Sequence, residues 1–252
     1  MLKCGLLGRK LGHSISPKIH SMLADYSYEL FEKEEDEVGA FIEAREYDGL
    51  NVTIPYKKTV FKYMDEVSEV AGRLGSITTI VKRADGSLYG DNTDVFGFGE
   101  LLRIFGAKTA GKKVLVLGSG GASVSVKYVL ESLGANTVTV SRSGEDNYGN
   151  LFKHADASYI VNTTPVGMYP NVDESPIDPV LFEACEGIVD IVYNPSTTKL
   201  MKLAERVGIP SVNGLYMLVA QAAKSSALFR GVTADDKVIE RIYEKLKVQT
   251  LN

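Results

Sequence analysis

The 252-residue sequence is poor in the residues that mark several protein classes. Two cysteines, Cys4 and Cys185, are too few for a disulfide framework. They fit a reducing compartment, where isolated thiols stay free. Three histidines, His13, His20 and His154, have no close metal-ligand spacing, so no metal site is expected. Eight prolines and 24 glycines without a fixed period exclude a collagen or a low-complexity linker. No apolar run reaches the ~18 residues of a membrane span. Met1-Leu2-Lys3-Cys4-Gly5 has no signal-peptide apolar region, so a soluble, cytoplasmic protein is expected. There is no excess of positive charge. Lys and Arg number 28 against 32 Asp and Glu, a net charge of -4. A phosphate backbone calls for a basic surface, so nucleic acid is not an expected partner. The hydrophobic share of 44% and charged share of 24% are those of a globular chain. The length allows one to two domains at about 150 residues each.

What is present is an alternation of short apolar runs and helical segments. Val114-Leu115-Val116-Leu117 is a β-forming run, followed by Gly118-Ser119-Gly120-Gly121-Ala122-Ser123 and a helix from Val124 to Leu133. Thr137–Val140 is the next strand, completing a βαβ unit of a parallel sheet. Strands at Tyr159–Asn162, Gly187–Val192 and Pro210–Val212 and a helix at Thr198–Val207 continue the pattern. Residues 96–212 are therefore expected to form a Rossmann-like, doubly wound dinucleotide-binding domain. The first part alternates too: strands at Lys3–Leu7, Tyr28–Lys33 and Leu50–Ile54, and a helix at Ser16–Ala24 with Pro17 in its first turn. The acidic stretch Glu34–Glu37 is expected to start a helix, and Lys57–Met64 to form another. Ile77–Arg83 and Ser87–Gly90 read as a hairpin across Ala84-Asp85-Gly86. Residues 1–95 are expected to form a separate α/β domain, completed by helices at Leu215–Phe229 and Ala234–Lys247 within 213–252. A helix at Phe96–Phe105 would join the two domains, with a cleft between them.

Glycines between a strand and a helix let the backbone approach a pyrophosphate, which then meets the N–H groups and positive dipole end of the helix. The pattern here is Gly118-x-Gly120-x-x-Ser123, with Ser where Gly or Ala is usual. Alone, such a turn is equally a tight connection with no ligand. Its strand-before, helix-after context favours a dinucleotide. At the end of the second strand an acid would hold the ribose hydroxyls of NAD, whereas a cation would receive the 2′-phosphate of NADP. Ser141-Arg142-Ser143 stands there, a guanidinium between two hydroxyls, so NADP is expected. Glu145 and Asp146 follow closely and would repel a phosphate if they faced it.

Three polar clusters mark the first domain. Ser14 and Ser16 offer two hydroxyls near a helix N-terminus, which read either as a seat for a carboxylate or as simple N-capping by Ser16, the simpler reading on the residues alone although it explains one serine and not both. In Asn51-Val52-Thr53-Ile54-Pro55-Tyr56-Lys57, alternation puts Asn51 and Thr53 on one face, and Lys57 follows the carboxyl end of a strand, where such folds place ligands. Lys57 is a candidate general acid/base, although a helix start would oppose a cation there. In Asp91-Asn92-Thr93-Asp94, Asp94 is the expected N-cap of the joining helix, and a carboxylate reaching Lys57 would orient its ammonium. Asn162-Thr163-Thr164-Pro165-Val166-Gly167-Met168 is a sharp loop on the cofactor side of the second domain.

Taken together and in order, these clusters resemble the shikimate dehydrogenase family. The resemblance runs along nearly the whole chain. It comprises Gly-His-Ser-Ile-Ser-Pro from Gly12, Asn-Val-Thr-Ile-Pro-Tyr-Lys from Asn51, Asn-Thr-Asp from Asn92 and Gly-Ser-Gly-Gly-Ala-Ser from Gly118. Asn-Thr-Thr-Pro-Val-Gly-Met from Asn162, Asp-Ile-Val-Tyr-Asn-Pro from Asp190 and Asn-Gly-Leu-Tyr-Met-Leu-Val-Ala-Gln from Asn213 follow. It implies reversible NADPH-dependent reduction of 3-dehydroshikimate to shikimate, in chorismate and aromatic amino-acid biosynthesis. By this resemblance Ser14 and Ser16 bind the substrate carboxylate, and Thr53, Lys57, Asp94 and Gln221 the ring hydroxyls, with Tyr193 beside them. Lys57 and Asp94 resemble the catalytic pair. Gly118, Ser119, Gly120, Gly121, Ala122 and Ser123 match the pyrophosphate turn, and Ser141, Arg142 and Ser143 the 2′-phosphate segment. Thr163, Thr164, Val166 and Met168 match the cofactor loop, and Gly214 and Met217 positions near the nicotinamide. The expected partner is the small-molecule substrate, and the chain a monomer or homodimer.

The chain departs from the family at three places. Thr78 stands where the family usually has Asn at a substrate-contacting position. The second basic residue after Arg142 is missing, and the stretch between the first helix and Asn51 is short. Thr78 motivates two alternatives: a paralogue acting on quinate or an aminated shikimate analogue, and a catalytically silent NADP-binding regulator. Retention of both Lys57 and Asp94 argues against the regulator.

Overall fold

A computed structural model describes residues 1–250. The chain divides into two compact units, Met1–Gly97 with Val219–Ile242, and Phe98–Leu218 with the chain's end from Tyr243. The first boundary lies two residues past the expected one. The start of one C-terminal helix and the end of the other are grouped with the second unit.

In the first unit, β1 (Lys3–Gly8), α1 (Ser16–Leu23), β2 (Ser27–Glu32), α2 (Val38–Ala44) and β3 (Gly49–Val52) alternate. β1 pairs in parallel with both β2 and β3. β4 (Glu66–Val67) and α3 (Glu69–Leu74) precede the hairpin β5 (Thr79–Lys82) and β6 (Leu88–Asp91). The sheet runs β2-β1-β3-β5-β6-β4. Its core gathers Leu7, Ile42, Leu50, Val60, Ile80 and Leu88 around the buried rings of Tyr47 and Tyr56. α4 (Thr93–Phe105) leaves the hairpin. From the C-terminal part of the chain, α7 (Leu215–Arg230) sets Phe229 against Gly49 of β3, where an added Cβ would lie 2.3 Å from the ring. α8 (Asp236–Thr250) follows.

Two predicted helices are corrected here. Lys57–Met64 is a turn followed by a 3-10 segment, Thr59–Tyr63. Its β-branched and aromatic residues anchor Val60 in the core without sustaining an α-helix. The acidic stretch forms turns, with Arg9 paired to Glu34 at 3.1 Å, and α2 begins only at Val38. β4 and α3 were not predicted. α3 is nonetheless bracketed by local signals: Ser68 accepts from Ala71 N–H, and Gly75 closes the helix at φ 59°.

The second unit continues the alternation: β7 (Lys113–Leu117), α5 (Gly121–Ser132), β8 (Asn136–Val140), β9 (Tyr159–Asn162), β10 (Gly187–Asp190), α6 (Lys199–Arg206) and β11 (Ser211–Asn213). All its strand pairings are parallel. Val114 to Leu117 are fully buried, as a strand covered on both faces requires. Each such side chain contributes about 1.5–3 kcal/mol of burial. The order is β8-β7-β9-β10-β11. The first strand thus lies between the second and the third. This doubly wound order puts its ligand crevice at the carboxyl ends of β7 and β9, where the connections diverge to opposite sides. Among the described residues no helix is long and apolar enough to cross a membrane.

Candidate active site

The crevice of the second unit is lined by the Gly-rich turn and the Asn162–Met168 loop. Gly118 follows β7 at φ 103°, a conformation glycine adopts without strain. A Cβ there would lie 2.9 Å from Thr163 Oγ1 and from Thr164 Cγ2. The turn is therefore closed against the loop on one side. On the other it is open: Ser119 and Gly120 are exposed, and a Cβ on Gly120 would meet nothing within 4 Å. Gly120 precedes α5 and no side chain caps it, so the first N–H groups of this twelve-residue helix have no side-chain acceptor at the N-cap. The donor set fits a pyrophosphate. Ser123 departs from expectation. Its hydroxyl donates back to Gly120 O at 2.6 Å and its side chain is buried, so it tightens the turn instead of facing a ligand.

The loop is fixed by a buried network that sequence reasoning did not assign. Asn162 Oδ1 accepts from Thr164 N–H at 3.0 Å and from Thr164 Oγ1 at 2.7 Å. Asn162 Nδ2 donates to Asp190 Oδ1 at 2.9 Å. Asp190 also accepts from Val192 N–H and, through Oδ2, from Thr198 Oγ1 at 2.7 Å. Asp190 is wholly buried. Burial pushes its carboxyl up to about 6, against the three donors that hold it down. The available signal was a lone carboxylate inside the apolar run Gly187-Ile188-Val189-Asp190-Ile191-Val192. Beyond the loop, Val166 is half-buried and Met168 exposed. Burial raises the Tyr193 phenol. Gly214 N–H donates to Val192 O, and a Cβ on Gly214 would lie 2.0 Å from Ile191 O, so no larger residue fits. Met217 is buried one turn into α7.

Ser141, Arg142 and Ser143 follow β8. Arg142 is exposed and has no ion-pair partner among the described residues. Of the two acids expected to oppose a phosphate, Asp146 is engaged by His154 at 2.7 Å, while Glu145 is exposed.

The first unit brings Lys57 and Asp94 together. Lys57 Nζ donates to Asp94 Oδ2 at 2.6 Å, with side chains only 15% and 12% exposed. Lys57 O accepts from Ile77 N–H, which ties the loop to the hairpin. Because Thr59–Tyr63 is a 3-10 segment, no α-helix dipole opposes the ammonium. Asp94 is not the N-cap. It is the second residue of α4, whose start is held from Thr79 of β5 and the residue before it: Thr93 N–H donates to Thr78 Oγ1 at 2.8 Å, and Thr93 Oγ1 lies 3.2 Å from Thr78 Oγ1 and 2.9 Å from Thr79 Oγ1. Thr78 is 3% exposed, so its hydroxyl is spent inside the protein. Ser14 Oγ accepts from Ser16 N–H at 3.2 Å, and both residues are half-buried beside α1. Ile15 precedes α1 and no side chain caps it, so Ser16 is not the N-cap. Thr53 extends β3 through its N–H to Leu7 O, and Gln221 lies half-buried on α7. Asn51 and Thr53 do not serve the same purpose. Asn51 is buried, accepting from Tyr28 Oη and donating to Thr79 Oγ1. His20 is a core residue, stacked on Tyr28 and pushed down by burial to about 3. Among the described residues no cluster of three metal-ligating side chains exists.

A doubly wound unit with an open glycine turn, and a second α/β unit carrying a close Lys–Asp pair, define a two-unit dinucleotide-type oxidoreductase. Residues 6–80 match a family profile described as "Shikimate dehydrogenase substrate binding domain". A "Shikimate dehydrogenase (NADP(+))" of Clostridium perfringens is 38% identical over 265 residues, covering 96% of this chain and 97% of that protein. A shikimate dehydrogenase crystal structure from Peptoclostridium difficile superposes with a TM-score of 0.92 at 33% identity over the whole of both chains. A Thermus thermophilus shikimate 5-dehydrogenase in complex with NADP(H) and shikimate gives 0.87 at 30%, covering 97% of this chain and 99% of that one. The chain belongs to the shikimate dehydrogenase family.

Proposed function

We propose that this chain catalyses the reversible NADPH-dependent reduction of 3-dehydroshikimate to shikimate, a step toward chorismate and the aromatic amino acids. The observation that carries the reading is the Lys57–Asp94 contact of 2.6 Å between nearly buried side chains, on a unit that matches the family's substrate domain. Bound NADPH supplies hydride to the carbonyl carbon. The oxygen of that carbonyl becomes an alkoxide and needs a proton and a positive charge beside it. Lys57 Nζ gives the proton and takes it back in the reverse direction. Asp94 holds the ammonium in place and accepts a hydrogen bond from a ring hydroxyl. Ser14 and Ser16 seat the carboxylate. Thr53, Gln221 and Tyr193 complete the substrate contacts. The turn Gly118–Ser123 holds the pyrophosphate, Arg142 with Ser141 and Ser143 the 2′-phosphate. Thr163, Thr164, Val166, Met168, Gly214 and Met217 bound the nicotinamide end.

The test is oxidation of shikimate followed by the absorbance of the reduced nicotinamide, with NADP and NAD in parallel and quinate as control. Turnover with shikimate and NADP supports the reading, whereas silence on shikimate with both cofactors overturns it. A second reading, a quinate or aminoshikimate enzyme, is favoured by one observation: Thr78 turns its only polar group to Thr93, so it offers the substrate no amide. Faster turnover of quinate than of shikimate would select it.

A further inference from the structure

We propose that His154 sets the preference for a 2′-phosphorylated cofactor by holding the Asp146 carboxylate away from the Ser141–Ser143 segment. The inference rests on the NADP reading above. The segment after β8 is a closed loop, in which Ser141 N–H donates to Asp146 O at 3.1 Å. A Cβ on Gly144 would lie 2.7 Å from Ser141 Oγ and 3.0 Å from Asp146 O, which shows how tightly the loop is folded. Asp146 is thus returned to the start of the segment that carries Arg142. A free carboxylate at this place would accept a hydrogen bond from a ribose 2′-hydroxyl and would repel a 2′-phosphate. It would also compete for the Arg142 guanidinium. In the structure that carboxylate is engaged within the loop instead. Asp146 Oδ1 takes its hydrogen bond from His154 Nε2 at 2.7 Å, with side chains 32% and 11% exposed. The other ring nitrogen, Nδ1, is buried without a hydrogen-bond partner, so the ring proton belongs on Nε2, where it is donated. His154 is itself fixed at the end of the 3-10 segment Leu151–His154, its carbonyl accepting from Ala157 N–H. Arg142 is left exposed and forms no ion pair with a carboxylate among the described residues, its charge acting instead on the Tyr148 phenol, which it holds down against the rise from burial.

The test is calorimetric titration of adenosine 2′,5′-bisphosphate and adenosine 5′-monophosphate into the wild type, His154→Ala, His154→Gln and the double variant His154→Ala/Asp146→Asn. The ratio of kcat/KM for NADP to that for NAD is measured alongside. The wild type is expected to favour the bisphosphate. His154→Ala should lower that preference about tenfold, by releasing one charge beside the phosphate. His154→Gln keeps a donor and should retain it, and the double variant should restore it. A merely structural role for His154 would weaken both probes alike. An unchanged preference in His154→Ala, or a loss that Asp146→Asn does not restore, overturns the proposal. A wild type with no preference for the bisphosphate overturns the NADP reading itself, whatever His154 does.

Discussion

Replacing Asp190 by asparagine tests whether the Asn162–Met168 loop is held by a carboxylate that is costly to bury. Asp190 is fully enclosed and its carboxyl rises from 3.8 to about 6 on folding. The folded chain therefore binds this proton more tightly than the unfolded one. Stability from the group is fully present below 3.8 and is lost as the pH rises through about 6. At about 1.4 kcal/mol for each pH unit, the loss is about 3 kcal/mol. The amide introduced by Asp190→Asn would keep an acceptor for Asn162 and Val192 and present its N–H to the Thr198 hydroxyl, which can accept. It carries no charge to bury. Urea unfolding of the wild type and Asp190→Asn, followed by circular dichroism, isolates the effect, since other titrating groups cancel in the difference. The two proteins should be of similar stability near pH 4. The variant should then gain on the wild type, reaching an advantage of about 3 kcal/mol by neutral pH. A difference that stays flat across this window would refute the burial argument. A wild type that gains on the variant as pH rises would show that the three donors outweigh burial.

Three further outcomes follow from the geometry. Lys57→Met should lose turnover by about 10²–10⁴-fold, the usual worth of a positioned acid/base, with a smaller loss of shikimate binding by calorimetry and some loss of stability from the Asp94 carboxylate left without its partner; near-normal kcat would remove Lys57 from the acid/base role. Thr78→Val keeps the shape but leaves Thr93 N–H without its acceptor, and should cost about 1–3 kcal/mol in denaturant unfolding, with Thr78→Ser closer to the wild type; an unchanged midpoint would mean that Thr78 does not hold α4. Gly214→Ala drives a methyl into the Ile191 carbonyl and should lower the melting temperature by several degrees, whereas Gly120→Ala, with open space around it, should melt close to the wild type and weaken NADP binding.

Much of this fold was legible because its strands are short, fully buried and bounded by glycine. The strands expected at Val114–Leu117 and Tyr159–Asn162 lie within one residue of their observed bounds. The segments that misled were those where tertiary contacts override local preference. Lys57–Tyr63 has helical length, but Val60 and the preceding Tyr56 are pinned in the core, and the chain winds into a 3-10 segment. α5 starts at Gly121, three residues before the predicted Val124, because a parallel sheet fixes where the helix must begin whatever its first residues prefer. In the site, the pairing of Lys57 with Asp94 was expected from the family resemblance, and the structure brings the two together at 2.6 Å. The network through Asn162, Asp190 and Thr198 was not, because a hydrogen bond between residues far apart in sequence leaves no local spacing to read. The turning inward of Ser123 and Thr78 was equally hidden, since a hydroxyl in a binding motif reads the same whether it faces a ligand or the backbone.

Among the described residues β8 is an edge strand beside β7, and the residues after it are tied mainly to one another: Ser141 to Asp146, Asn147 to Gly144 and Glu145, and Asn150 to Glu145. Such a segment is a replaceable cassette. Its internal hydrogen bonds do not reach the strands that carry the glycine turn or the unit that carries Lys57. On the proposed reading of Arg142, changes confined to this segment would retune which reductant pool the enzyme draws on and leave Lys57 and Asp94 in place.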